Sequence, residues 1–439
     1  MQSGTLLLIV VIVGSLLVAG CLFGAFRNLS RKRLLNDNPT SKTQGVFIGL
    51  VEVKGTAESE SPLVSYLAGA QCVQYSWQID EHWSRTVHET YTDSKGQTHT
   101  RTRQESGWTN VAKDSKSAPF YVKDDTGLLR VVPEGASIEA KEIFERTCSR
   151  NDPLYYGKGP EKQVANSDHR RRFHETAIPL HALLYIVGQA HEREDVVAAE
   201  IARDKTAPMF LISMKTEKQV NTRLGVTVWV WFILGLILGL GTALAWNLLR
   251  SNAGVSVLPF IIALIIFLLA AGIGWLWTVY NGFINLHHRV EQGWSQIEVQ
   301  LKRRADLIPN LVEAVRGYRD YEQATQTLVT EMRTQLTATP PGVAGPDFKG
   351  VARRLIAAIE NYPELKANES FLQLQKSLVE TEQRIALARD YFNEIATFYN
   401  NRLEIVPDRW VGALARLRPQ TLMSATDFER APVIVKLAE

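Results

Sequence analysis

The chain has 439 residues, 45% of them apolar, with 49 Lys and Arg against 46 Asp and Glu for a formal net charge of +3. At about 100–200 residues per domain this length excludes a single small module, and so small a net charge excludes the global basic field of a typical nucleic-acid binder. Residues 5–26, 226–249 and 255–280 each run for 22 or more positions without a charged side chain, enough to cross a hydrocarbon core of about 30 Å. The expected class is therefore a multi-domain membrane protein, with three transmembrane helices around and between two polar domains, 44–218 and 281–439.

The segment ahead of the first span carries no Lys or Arg, so it lacks the positive region of a secretory signal and reads as an uncleaved anchor. Val18-Ala19-Gly20-Cys21 matches the four-residue pattern cut in bacterial lipoproteins, yet the apolar run continues to Phe26 and basic residues follow. Lipidation of Cys21 is the lesser of the two readings. Arg27, Arg31, Lys32 and Arg33 follow the first span; Lys215, Lys218 and Arg223 precede the second; Arg289, Lys302, Arg303 and Arg304 follow the third. The positive-inside rule then predicts a multi-pass protein of the cell (inner) membrane, N-terminus outside and both large domains cytoplasmic. Trp229, Trp231, Trp246, Trp275, Trp277 and Tyr280 sit near span ends, as interfacial aromatics do. Gly20-x-x-x-Gly24 and Gly235-x-x-x-Gly239 suit close helix approach, either within the chain or between copies. No ionisable residue interrupts a span, which argues against an ion or proton pathway.

In the first polar domain, residues 45–55, 72–79 and 127–132 are short, rich in β-branched or aromatic residues and bounded by Gly, Pro or Ser, so strands are expected. Residues 86–91 and 98–104 alternate polar side chains around Asp93-Ser-Lys-Gly96 and predict a polar hairpin standing out from the sheet. Two further strands, 177–187 and 207–213, bracket an expected helix over 195–203. Residues 149–172, with Asp-Pro, Gly-Lys-Gly-Pro and Arg170-Arg171-Arg172, have no apolar period and read as a surface loop. Its arginines are either plainly solvated or facing anionic lipid. The whole reads as a β-rich α+β domain.

The chain has three cysteines, Cys21, Cys72 and Cys148. None forms a C-x-x-C pair, so no zinc module is expected; a Cys72–Cys148 disulfide is possible by count, with reduced thiols the better expectation for a cytoplasmic domain. Cys72 has no evident His/Asp arrangement beside it and reads as a buried strand cysteine rather than a nucleophile.

Gly49-Leu-Val-Glu-Val-Lys-Gly-Thr-Ala57, Ser61-Pro62-Leu63, Gly69-Ala-Gln-Cys72-Val-Gln-Tyr75, Phe120-Tyr-Val-Lys-Asp124-Asp-Thr-Gly127 and Leu184-Tyr-Ile-Val-Gly188 resemble the GIDE domain over about residues 45–220. That is the membrane-flanked module of a mitochondrial E3 ubiquitin ligase. The resemblance implies a membrane-proximal recognition or regulatory domain. The RING that performs transfer in the ligase has no counterpart here.

In the C-terminal region, Val290, Trp294, Ile297, Leu301, Ala305 and Ile308 step by three or four, as do positions 311–336 beyond Pro309, predicting two amphipathic helices that meet at that proline. Residues 337–347 read as a loop and 348–360 as a short helix. Phe371, Leu374, Leu378, Thr381, Ile385, Ala388, Phe392, Ile395 and Tyr399 form a long helix with a narrow, coiled-coil-like seam. An antiparallel four-helix-type bundle is expected. With no proline between Pro259 and Pro309, the third span and first bundle helix can form one rod, which Gly282 and Gly293 could hinge. Trp410, Val411, Leu414 and Leu417 suit either an interfacial helix or a cap across the bundle end.

Gly293-Trp294-Ser-Gln-Ile297, Val299-Gln300-Leu301-Lys302-Arg303-Arg304, Asp306-Leu-Ile-Pro309-Asn310-Leu311, Tyr362-Pro363-Glu-Leu365 and Ile385-Ala-x-Ala388-Arg389 resemble the LemA family over about residues 277–439. This resemblance implies a membrane-anchored cytoplasmic helical bundle with no established reaction. The expected function is a non-enzymatic scaffold or sensor whose partners are the lipid bilayer, other proteins and copies of itself. A GIDE-type ligase-like enzyme and a self-assembling membrane organiser are the alternatives. No catalytic, metal or cofactor-binding residue, no nucleic acid and no small-molecule substrate is expected.

Overall fold

The computed structural model describes residues 2–92, 97–193, 198–205, 207–250, 256–316 and 369–423. It divides into a β-rich unit, Thr40–Glu217, and a helical unit, Met1–Pro39 with Lys218–Glu439. The chain opens with helix α1 (Gln2–Asn36).

The β-rich unit follows. Its strands are β1 (Thr40–Ser41), β2 (Gly49–Glu58), β3 (Leu63–Val64), β4 (Gln71–Thr92), β5 (Thr98–Ser117), β6 (Phe120–Lys123), β7 (Leu128–Val131), β8 (Ser137–Glu139), β9 (Lys141–Ser149), β10 (Ser167–Pro179), β11 (Leu183–Glu192), β12 (Ala199–Ala202) and β13 (Leu211–Ser213), with one short helix, α2 (Pro153–Gly157). Strands β2, β6, β7, β12 and β11 pair in succession, and β11 pairs back onto β2, so five strands close a ring. Closure satisfies the backbone donors and acceptors that an open edge would leave free. Val53, Val122, Val131, Ile186 and Ile201 are fully buried in the core of this sheet.

The second sheet is built on β4, flanked by β5 on one side and by β10, then β9, on the other. β4 and β5 pair from Gln74↔Ser117 to Thr92↔Thr98, whereas β10 accompanies β4 only as far as Trp83. Beyond that point the two strands continue alone as the polar ribbon their alternation predicts. Its turn, residues 93–96, lies outside the described residues.

Three expectations for this unit are corrected. The single strand expected over 177–187 is instead the end of β10, a turn closed by the Ala182 N–H donating to the Pro179 carbonyl, and the start of β11. The helix expected over 195–203 is absent from its described part: Ala199–Ala202 is strand β12, antiparallel to β11 and parallel to β7. Alanine's local helix preference is worth a few tenths of a kcal/mol per residue. Burying Ile201 in the sheet core contributes about 1.5–3 kcal/mol and decides the outcome. The surface loop expected over 149–172 contains α2, capped by the Asp152 carboxylate accepting from the Leu154 N–H at 2.9 Å, and the start of β10. The middle arginine of its triplet, Arg171, is 0% exposed.

In the helical unit, α1, α3 (Glu217–Leu249) and α4 (Leu258–Arg316) are long and apolar enough to cross a membrane. Glycines let the three approach one another. A Cβ at Gly24 would stand 3.0 Å from the Trp231 ring, and one at Gly235 would stand 3.1 Å from Cys21 Cβ and 3.2 Å from Phe267. At Gly274 a Cβ would collide with Phe26, while Gly20 faces open space. The described glycine contacts are thus between spans of this chain.

Helix α4 has 59 residues, about 88 Å at 1.5 Å per residue. The break expected at Pro309 is absent: the backbone stays helical through Pro309 to Arg316, and the rest of the helix expected over 311–336 lies outside the described residues. A proline removes one ladder hydrogen bond and crowds the preceding turn, a cost of about 3 kcal/mol that a long helix can absorb. Gly282 and Gly293 are both helical.

Helix α5 (Glu369–Glu404) runs antiparallel to α4, Tyr399 lying edge-on to Phe283 and Phe392 edge-on to Trp294. Its seam residues Ile385, Ala388, Phe392, Ile395 and Tyr399 are buried, as the spacing predicts. Asn393 and Asn400 each bind a backbone amide and carbonyl of the strap 420–423, at 2.8–2.9 Å. Helix α6 (Asp408–Leu414) turns Val411 and Gly412 inward but leaves Trp410 66% and Leu414 83% exposed. The apolar face expected to act as one is divided between cap and surface. The loop over 337–347, the helix over 348–360 and the motif at 362–368 lie outside the described residues.

Candidate functional site

Among the described residues of the helical unit, a set of buried charges gathers where α1 ends. Arg33, on the last turn of α1, makes a two-pronged pair with Asp408 of α6 at 2.8 and 3.1 Å. Arg402, at the end of α5, donates to the same Asp408 at 2.8 Å and to Asp37 Oδ1 at 2.9 and 3.0 Å. Arg289 of α4 donates to the Asp37 backbone carbonyl at 3.0 Å and to Asn38 Oδ1. Four helices are therefore tied at one point by planar guanidinium forks, whose geometry suits carboxylates as a lysine point charge does not. Burial pushes the Asp37 carboxyl above its ordinary range, although Arg402, Arg289 and Arg33 pull it back. Burial works against the Arg402 charge, but Asp37 and Asp408 outweigh it and move its pKa upward. The cluster holds no nucleophile and acts as a latch.

This node was not foreseen from the sequence. The only local signal is a pair of aspartates beside prolines, Asp37-Asn38-Pro39 and Pro407-Asp408. Spacing along one helix cannot reveal a cluster assembled from residues 33, 37, 289, 402 and 408.

In the β-rich unit, the charges lie deeper. Arg171 donates through Nε and Nη2 to Glu81 Oε2 at 3.1 and 3.0 Å, and its remaining N–H groups reach the carbonyls of Tyr155, Pro160 and Lys162 at 2.8–3.1 Å. All five guanidinium donors are used, as burial requires. Glu81 Oε1 accepts from the Tyr155 hydroxyl at 2.9 Å and from Ser167 at 2.5 Å. A side chain at Gly159 would collide with the Tyr155 carbonyl and the guanidinium, so the glycine lets the loop wrap the arginine. Nearby, the buried Glu175 carboxylate accepts the backbone N–H groups of Tyr66, Leu67 and Ala68 at 2.8–3.1 Å. It pins the turn between Ser61-Pro62-Leu63 and Gly69-Ala-Gln-Cys72.

All three cysteines are free and buried. Cys72 is fully buried on β4, and burial with the nearby Glu175 charge pushes its thiol up to about 11. Burial likewise raises Cys148. A thiol held protonated at neutral pH is a poor nucleophile. Among the described residues no group of three or more His, Cys, Asp or Glu is placed to hold a metal ion.

These features define a class: a protein with three candidate membrane helices, a β-rich unit closed on a five-stranded ring, and a long helical pair continuous with the third span. Residues 293–437 match the model of the LemA family, and residues 88–247 match the GIDE model, described as E3 Ubiquitin ligase. The second match begins within β4 and reaches to the end of α3. Protein LemA of Metamycoplasma hominis is 24% identical over 179 residues, covering 39% of this chain and 81% of that protein. Magnetosome protein MamQ 2 of Paramagnetospirillum magneticum is 25% identical over 163 residues, 30% of this chain and 58% of that protein. Magnetosome protein MamQ of Magnetospirillum gryphiswaldense is 25% identical over 169 residues, 32% of this chain and 62% of that protein. This chain therefore spans about three-fifths of the MamQ proteins it matches. Both resemblances read from the residues, LemA at the C-terminus and GIDE before it, are found by these comparisons.

Proposed function

We propose that this chain is a membrane-anchored, non-enzymatic scaffold or sensor of a bacterial inner membrane, with its GIDE-like unit and its LemA-like helical bundle both cytoplasmic and both available to protein partners. The observation that carries this reading is the continuity of α4, which leaves the third candidate span and enters the LemA-matched region without a break. A rigid rod passes displacement of one end to the other. The Arg33–Asp408–Arg402–Asp37 latch joins the same helices to the end of the first candidate span. Complementary surfaces rather than a reaction centre would then carry the function.

The test is photo-crosslinking in cells, with the reactive residue at exposed Val299 on α4 or at exposed Val64 in the β-rich unit of the intact chain. A defined partner set captured from Val299, and different from that at Val64, supports recruitment through the helical pair. Capture of the chain by itself alone would replace recruitment with self-assembly. The GIDE match keeps one enzymatic reading in view. Ubiquitin transfer by the purified full chain, given activating and conjugating enzymes, would overturn the non-enzymatic assignment. Reporter fusions at the N-terminus and in the loop after α3 test sidedness, and activity of an exported reporter at both positions is the expected result.

A further inference from the structure

Helices α1, α3 and α4 enclose a cleft of about 1140 Å³ of empty space, its open mouth included. Its walls are apolar, with Leu29 from α1, Phe232 and Leu236 from α3, and Phe267 and Ala271 from α4. Lys32 is the one ionisable residue among those lining it, and among the described residues it has no carboxylate partner. The lysine lies across Gly225, where a Cβ would stand 2.9 Å from Nζ; the missing side chain is what lets the ammonium reach over the opening. Trp229 and Trp275 flank the same end, the level at which indoles mark a membrane–water boundary.

Length narrows the occupant. Along α3 the lining runs from Gly225 to Leu236, about 16 Å at 1.5 Å per residue, or about half of a hydrocarbon core near 30 Å. The cleft is one leaflet deep. At that depth an irregular peptide would leave backbone groups unsatisfied, whereas an acyl chain leaves none. A single cation at the mouth of an apolar slot complements a negatively charged head, as basic pockets between transmembrane helices do. We propose that this cleft binds one anionic phospholipid, an acyl chain lying against Phe232, Leu236 and Phe267 and the phosphate paired with Lys32. This assignment is independent of the scaffold reading above.

The test uses the full chain purified in detergent, offered equal amounts of phosphatidylglycerol and phosphatidylcholine and examined by native mass spectrometry. Expected is retention of one phosphatidylglycerol at least fivefold in excess over phosphatidylcholine. Lys32→Gln should bring that ratio close to one, whereas Arg27→Gln, which removes a cation from the same helix outside the cleft, should leave it unchanged. Ala271→Trp should fill the slot and lower retention of both lipids at least fivefold. Equal retention of the two lipids by the parent chain overturns the proposal. So does an equal effect of Lys32→Gln and Arg27→Gln, which would indicate bulk surface charge, or undiminished retention in a folded Ala271→Trp variant. If that variant does not fold, the Lys32 and Arg27 pair decides the question.

Discussion

Glu81 and Arg171 in the β-rich unit are both withdrawn completely from solvent, while in the helical unit Arg33 and Arg402 keep 15% and 19% of their side chains exposed although their partners Asp408 and Asp37 are buried. The difference follows from how each unit is built. A strand in mid-sheet fixes its side chains by register, so Arg171 cannot turn outward without breaking pairings to both Asp–Glu-bearing β4 and β9. Charges at helix ends sit where four helices converge, and water reaches one side. The first arrangement demands full internal satisfaction; the second tolerates a shared, redundant network.

The comparison can be broken at its strongest point first. Glu81→Ala should cost about 3–5 kcal/mol, because it leaves a guanidinium buried without its carboxylate; chemical denaturation followed through β-unit tryptophan fluorescence reads it. Replacing both Glu81 and Arg171 by leucine should recover much of that loss. No recovery would mean that the loop wrapped on Arg171 needs the charge itself.

At the latch, Asp408→Ala should cost about 1.5–3 kcal/mol, the range for a hydrogen bond to a charged group. The loss is smaller than in the sheet because Arg402 keeps Asp37. Spin-label distances between α1 and α6 should broaden in this variant, and an unchanged distribution would show that apolar packing of Val411 suffices.

A smaller effect is expected at Asp124. Burial works against its charge, but the hydroxyl and N–H donors of Thr43 and Thr126 outweigh it and bring the carboxyl down to about 2. A lowered carboxylate stabilises the fold above its ordinary range near 4, and that contribution is lost as pH falls through about 2. Asp124→Asn should therefore destabilise by about 1 kcal/mol at neutral pH. Its deficit against the parent chain should shrink between pH 4 and pH 2 in pH-dependent melting.

The smallest effect belongs to Cys72. With its thiol pushed up to about 11 and fully buried, alkylation by iodoacetamide at neutral pH should proceed only as fast as the sheet opens. Labelling at the rate of a free thiol would show a far more mobile β4.

Periodicity made the helical unit the more legible half. Charge-free length marked the three candidate spans, and the three–four spacing from Thr381 to Tyr399 marked the face that packs on α4. Those signals survive because each concerns one helix and its own side of water or lipid. The polar ribbon was legible for the same local reason, since alternation around a turn needs only two neighbouring strands.

The larger misses, the buried Arg171 and strand β12, depended on a partner distant in the chain. Residues 199–202 have helix-favouring alanines but become a strand because β7 and β11 offer open ladders and Ile201 a place in the core. Arg171 reads as part of a solvated triplet until Glu81, ninety positions earlier, is brought against it across β4 and β10. Pro309 reads as a stop because its local cost is known, yet the backbone stays helical through it to Arg316. The sequence alone determined which segments are apolar enough for a membrane and which helix faces need covering, since these are sums over local side-chain chemistry. Only the tertiary structure decided which charges are buried, which short segment becomes a strand and where the helices are latched, because those outcomes rest on pairings between residues that local chemistry cannot bring together.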